Sequence, residues 1–179
     1  MSSGSEALSR KQFNSRRQIE ILVVQSNPAD SFLTIAAFKA AGLTDGLNCV
    51  AEGEEALMYV ERRGAYSEAS VPDLIFLDLS LPSISALEML RVFKSTPTLM
   101  HIPVVVAAGS DDSRFVSSVY ALNGNCFIRK PTVLEEFVRL IVTFYQFWTS
   151  VVTLAPESTR RGGISSLREL QVGNVQRLM

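Results

Sequence analysis

The chain has 179 residues, 47% of them hydrophobic, with 17 basic and 18 acidic side chains and a net charge of −1. That composition supports one domain with an ordinary core plus modest extensions. Near-neutral charge removes the electrostatic case for nucleic acid, the lone His101 removes a histidine metal cluster, and no run reads as a membrane span.

Residues 1–18 are polar, carry Arg10, Lys11, Arg16 and Arg17, and lack the apolar core of a secretory signal; they read as a disordered leader. Residues 19–24 form a short apolar strand, broken by Gln25-Ser26-Asn27-Pro28. A helix begins at Ala29 or Asp30, keeps Phe32, Leu33, Ile35, Ala36, Phe38 and Ala40 at helical spacing, and closes at Gly42. A weaker strand at 48–51 and a helix at 54–63 follow, and the polar loop 64–70 delivers the chain to a third strand at 74–77. Next come a helix at 86–94, a strand at 104–107, a helix at 111–122 opened by Asp111 and Asp112, and a strand at 126–128. Thr132 with Glu135 three residues on predicts a capping box for a long last helix. Cys49 and Cys126 fall inside strands, where small core residues are expected rather than disulfide partners, in keeping with a reducing cytoplasm.

Strand and helix alternate five times, the rhythm of a doubly wound parallel sheet with helices on both faces. The third strand is apolar at every position, as a central strand covered on both sides must be. Asp78 ends it, where ligands bind in open α/β sheets. A carboxylate there is a site residue or a helix cap, and Ser83 and Ser85 stand closer to the next helix as caps.

Asn27-Pro28-Ala29-Asp30, the run from Asp73 to Pro82, Ile102-Pro103-Val104-Val105-Val106 and Phe127-Ile128-Arg129-Lys130-Pro131 together resemble the response-regulator receiver domain across residues 19–152. The loop 64–70 and the last helix ending Phe147-Trp148 resemble the single-domain regulators paired with bacterial phytochrome kinases. The resemblance implies a flavodoxin-like fold with strand order 2-1-3-4-5 and no enzyme activity beyond accepting a phosphoryl group from a sensor histidine kinase. It implies Asp78 as phosphoacceptor, Lys130 as phosphate partner, Phe127 as switch aromatic, and Mg²⁺ held by an acidic pair after the first strand.

Three positions depart from that pattern. Gln25 and Ser26 stand where the acidic pair belongs, and Ala108 stands where a hydroxyl belongs, five residues after Pro103. Mg²⁺ would be left with Asp78, the Ser80 backbone carbonyl and water, so weak binding or none is expected. Asp78 would instead face Lys130 with no competing acid. Plainer readings stand beside these: Phe127 as core, Lys130 as a solvated lysine, Gln25-Ser26 as a polar turn.

The last helix carries two apolar stripes. One is Leu134, Val138, Ile141, Tyr145, Trp148 and Val152, and the other includes Phe137, Leu140, Phe144, Phe147 and Val151. One sheet buries one stripe, so the second is expected to form a homodimer interface, unless the tail folds over it. Residues 153–179, with Pro156, Arg160-Arg161 and Gly162-Gly163, read as linker and tail. The expected function is an atypical two-component interaction module with impaired Mg²⁺-dependent phosphorylation. The alternative is a working phosphoacceptor on Asp78, served by a sensor kinase such as a bacteriophytochrome.

Overall fold

The computed structural model describes residues 19–43, 45–82 and 84–156; the expected leader at 1–18, Ser83 and the tail beyond Pro156 lie outside the described residues. Strands β1 (Ile21–Val24), β2 (Leu47–Val50), β3 (Leu74–Asp78), β4 (Val104–Ala108) and β5 (Cys126–Arg129) pair in parallel in the order β2-β1-β3-β4-β5. Helices α1 (Pro28–Ala40), α2 (Gly53–Val60), α3 (Ala86–Ser95), α4 (Ser113–Ala121) and α5 (Leu134–Ser150) connect them or follow the last. This is the doubly wound, flavodoxin-like arrangement expected from the alternation.

Why β1, β3 and β4 are apolar at every position is visible in the two cores. Ile21, Val23, Leu74, Phe76, Val105 and Ala107 pack against α1 and α5, beneath Phe38, Ile141 and Trp148. Their neighbours Leu22, Val24, Ile75, Leu77, Val104 and Val106 pack against α2, α3 and α4, beneath Tyr59, Met89 and Phe93. Successive side chains leave a strand on opposite faces, so a strand buried twice needs an apolar residue every time.

Local chemistry sets the helix ends. Asn27 caps α1, its Oδ1 accepting from the backbone N–H of Ala29 at 2.9 Å and Asp30 at 3.4 Å, and Pro28 takes the first helical position. Ser85 and Glu88 form a complete capping box on α3, and Asp112 caps α4. The box expected at Thr132 and Glu135 does not form: α5 begins at Leu134 with Val133 before it and no side-chain cap. Phe32, one of the apolar residues at helical spacing, is 71% exposed, because Thr34, Ala37 and Phe38 define the buried side of α1. Cys49, expected in the core, lies exposed on the edge strand β2.

The two expected stripes of α5 are redistributed. Phe137, Ile141, Phe144 and Trp148, spaced four, three and four residues apart, make the buried face. Phe144 sits among Phe76 at 5.7 Å, Phe38 at 6.1 Å and Trp148 at 6.2 Å between ring centroids. Phe137 and Phe144 are therefore core residues and not dimer contacts as expected. Of that set, Leu140 is half-buried, and Phe147 and Val151 remain exposed at 48% and 71%.

Candidate functional site

The carboxyl ends of β1, β3 and β5 bring Gln25, Asp78 and Lys130 together, and strand alternation explains why. Gln25 continues the series Ile21 and Val23, Asp78 the series Leu74 and Phe76, and Lys130 the series Cys126 and Ile128, all members of the α1–α5 core. Each therefore leaves the sheet on the side where α1 starts.

Asp78 is 3% exposed and fully engaged. Its Oδ1 accepts from the Ser80 backbone N–H at 2.9 Å, which fixes the turn after β3. Its Oδ2 accepts from Gln25 Nε2 at 3.0 Å and from Lys130 Nζ at 2.5 Å. The carboxylate can only accept, so it must face the Gln25 amide nitrogen. That choice leaves Gln25 Oε1 for the fully buried Thr34, whose hydroxyl donates to it at 3.0 Å. Ser31 Oγ donates to the Gln25 carbonyl at 3.0 Å, and Ser26 Oγ donates to the Ser80 carbonyl at 3.2 Å.

One acid escaped the sequence reading. Asp30, in the first turn of α1, accepts from Lys130 Nζ through Oδ2 at 2.9 Å. Lys130 thus bridges two carboxylates, correcting the expectation that it would face Asp78 with no competing acid. Burial alone would lower the Lys130 pKa, but the hydrogen bonds it donates to Asp78 and Asp30, and their charges, hold it above the ordinary lysine value. The three groups carry a net charge of −1.

The donor set does not suit the Mg²⁺ that the fold family implies. A divalent ion needs hard oxygens turned toward it. Here Asp78 Oδ2 is covered by an amide nitrogen and an ammonium, and Gln25 and Ser26 after β1 bring no carboxylate. No three His, Cys, Asp or Glu side chains among the described residues cluster to hold a metal.

Ala108 and Phe127 belong to the other side of the sheet. Ala108 is buried at the end of β4, and Phe127 packs half-buried on the α2–α4 core, its backbone N–H donating to Tyr120 Oη at 3.4 Å. Beside the Asp78 group a pocket of about 420 Å³ opens between Asp30, Leu33, Lys130, Pro131, Leu134 and Phe137.

A family model for the response regulator receiver domain matches residues 21–142 of this chain. The chain belongs to that family. Among its relatives, this receiver domain is 33% identical to the response regulator Rcp1 of Synechocystis over 134 residues, 75% of this chain and 91% of Rcp1. The phosphorylated cyanobacterial phytochrome response regulator RcpA superposes with a TM-score of 0.74 at 36% identity, covering 78% of this chain and all of that one. The Mn²⁺-bound form of Rcp1 superposes with a TM-score of 0.72 at 32% identity, over 77% of this chain and 99% of that one. Rcp1 and RcpA are named as response regulators, and no helix among the described residues of this receiver domain is long and apolar enough to cross a membrane.

Proposed function

We propose that this receiver domain is an interaction module of two-component signalling that docks on a sensor histidine kinase, or on another regulator, without being switched by Mg²⁺-dependent phosphorylation. The observation that carries this reading is the double occupancy of Asp78 Oδ2 by Gln25 Nε2 and Lys130 Nζ. A phosphoryl group approaching Asp78 Oδ2 meets an oxygen already engaged twice, and no acidic pair follows β1 to seat the cation that normally relieves the charge. The similarity to Rcp1 and to a phytochrome response regulator supports a phytochrome-linked kinase as the partner. The pocket supplies an apolar contact for it in Leu134, which is more than half exposed. A cytoplasmic location accompanies this reading.

Self-association through the outer face of α5 belongs to the same proposal. Leu140, Phe147 and Val151 recur at seven and four residues along that face, a spacing suited to a second helix packed alongside. With Phe144 in the core, the contacts narrow to these three. Phe147→Glu should lower the mass measured by light scattering while the domain stays folded; an unchanged mass would dismiss this interface.

The decisive experiment treats the protein with acetyl phosphate and Mg²⁺ and reads the intact mass. No gain of a phosphoryl group is expected. A gain that Asp78→Asn abolishes would establish the second reading, a working phosphoacceptor, which the phosphorylated state of RcpA favours.

A further inference from the structure

Lys130 Nζ is seated between two carboxylates contributed by different elements, Asp78 at the end of β3 and Asp30 in the first turn of α1, at 2.5 and 2.9 Å. The lysine side chain is 13% exposed and Asp78 4%, whereas Asp30 is 39% exposed. The arrangement is that of a cation with two anionic ligands, except that the cation is covalently part of the chain. Asp30 is placed for this by its neighbours: Asn27 accepts from its backbone N–H, and Ser31 beside it donates to the Gln25 carbonyl.

We propose that Asp30 is the positioning residue that makes the Lys130 ammonium the resident cation of this site, so that the bridge and a divalent ion exclude one another. The inference rests on the reading that Asp78 is not switched through Mg²⁺, and supplies its cause. A chain that merely lacked the acidic pair would leave Asp78 weakly liganded and open. This chain instead supplies a second carboxylate from the helix, and the charge it brings draws the ammonium onto the aspartate. A divalent ion must then displace a hydrogen-bonded ammonium as well as shed its own waters. With the ammonium removed, Asp30 and Asp78 face the same space with two negative charges and no counter-charge, the condition under which carboxylates take up a hard cation.

The test uses Mn²⁺ as probe, its free concentration read by electron paramagnetic resonance with the full chain. Wild type should leave Mn²⁺ free at millimolar concentration. Lys130→Ala should bind at least tenfold more tightly than wild type, and adding Asp30→Asn to Lys130→Ala should return affinity to the wild-type level. A merely structural Asp30 would not reverse the gain. Fluorescence of Trp148 verifies the fold, and Lys130→Met replaces Lys130→Ala if the shorter side chain unfolds the loop. Tight Mn²⁺ binding by wild type, or equal affinity with and without Asp30 in the Lys130 variant, would overturn the proposal. Phosphorylation of wild type by acetyl phosphate would instead overturn the functional reading, so the two failures are read on different instruments.

Discussion

Truncating Phe144 and Phe147 to alanine, one variant at a time, separates the inner from the outer face of α5. Phe144 is 7% exposed and meets Phe38, Phe76 and Trp148 edge-on or tilted, so Phe144→Ala opens a cavity in the α1–α5 core. Buried phenylalanine to alanine costs ~3–5 kcal/mol, because the lost transfer energy is joined by a void the neighbours fill only in part. Against a total stability of about 5–15 kcal/mol this is a large fraction. At ~3–4 °C per kcal/mol for a domain of this size, Tm should fall by roughly 9–20 °C. Phe147 is half exposed, its ring centroid 5.7 Å from that of Trp148, so Phe147→Ala should cost the monomer under about 1 kcal/mol. Urea unfolding followed by the single tryptophan, which sits in this core, measures both. Equal losses for the two variants, or a loss under about 1 kcal/mol for Phe144→Ala, would refute the assignment of Phe144 to the core.

Lys94 donates to the carbonyls of Ile102 at 2.7 Å and Met100 at 3.3 Å and to Asn125 Oδ1 at 2.8 Å, and burial pulls its pKa down to about 8. The folded state therefore releases this proton before the unfolded state does, and the lysine's contribution to stability should rise from pH 8 to 10.5 and fall as pH drops through 8. The difference in unfolding free energy between wild type and Lys94→Met isolates that slope; a pH-independent difference would refute it. Asn27→Ala should cost ~1 kcal/mol of stability by removing the α1 cap, measured by urea midpoint. Ala108→Thr alone should leave the protein unphosphorylated by acetyl phosphate, whereas Gln25→Glu with Ser26→Asp should raise divalent-ion affinity, measured by calorimetry; the reverse order would show that the hydroxyl and not the acidic pair is the larger deficit.

Much of this architecture was legible because its signals are periodic or local. Doubly buried strands announce themselves as unbroken apolar runs, and Ser85 marks a helix start through a hydrogen bond its own side chain makes. Asp78 was legible as a site residue because it ends a strand on the ligand-binding edge, and Gln25 and Lys130 through the resemblance to receiver domains. Asp30 was not, since an acid in a first helical turn looks the same whether it serves the helix dipole or a lysine 100 residues away. The faces of α5 were misassigned for a related reason. A helix rich in apolar residues all round has several stripes of similar strength, and only the position of Phe38 and Phe76 decides that Phe144 turns inward. The capping box at Thr132 failed because Pro131, Thr132 and Val133 remain outside the helix, which places Glu135 in its first turn without a partner hydroxyl at the cap.

A two-state switch needs a ligand that binds one state better than the other, and a ligand with no such preference shifts nothing. In a receiver controlled by metal and phosphoryl group, the charge at the aspartate changes sharply between states. With Lys130 bridging Asp30 and Asp78 the counter-charge is present from the start, and α1, β3 and the loop before α5 are tied at one point. Of these groups Asp30 alone is substantially exposed, facing the pocket that Leu33 and Leu134 line. On the functional reading proposed above, differential binding energy must then enter there, through a partner that engages Asp30 and thereby changes how firmly it holds Lys130. Such a receiver reports which protein is bound rather than whether it carries a phosphoryl group, and its response would scale with partner concentration instead of with phosphodonor.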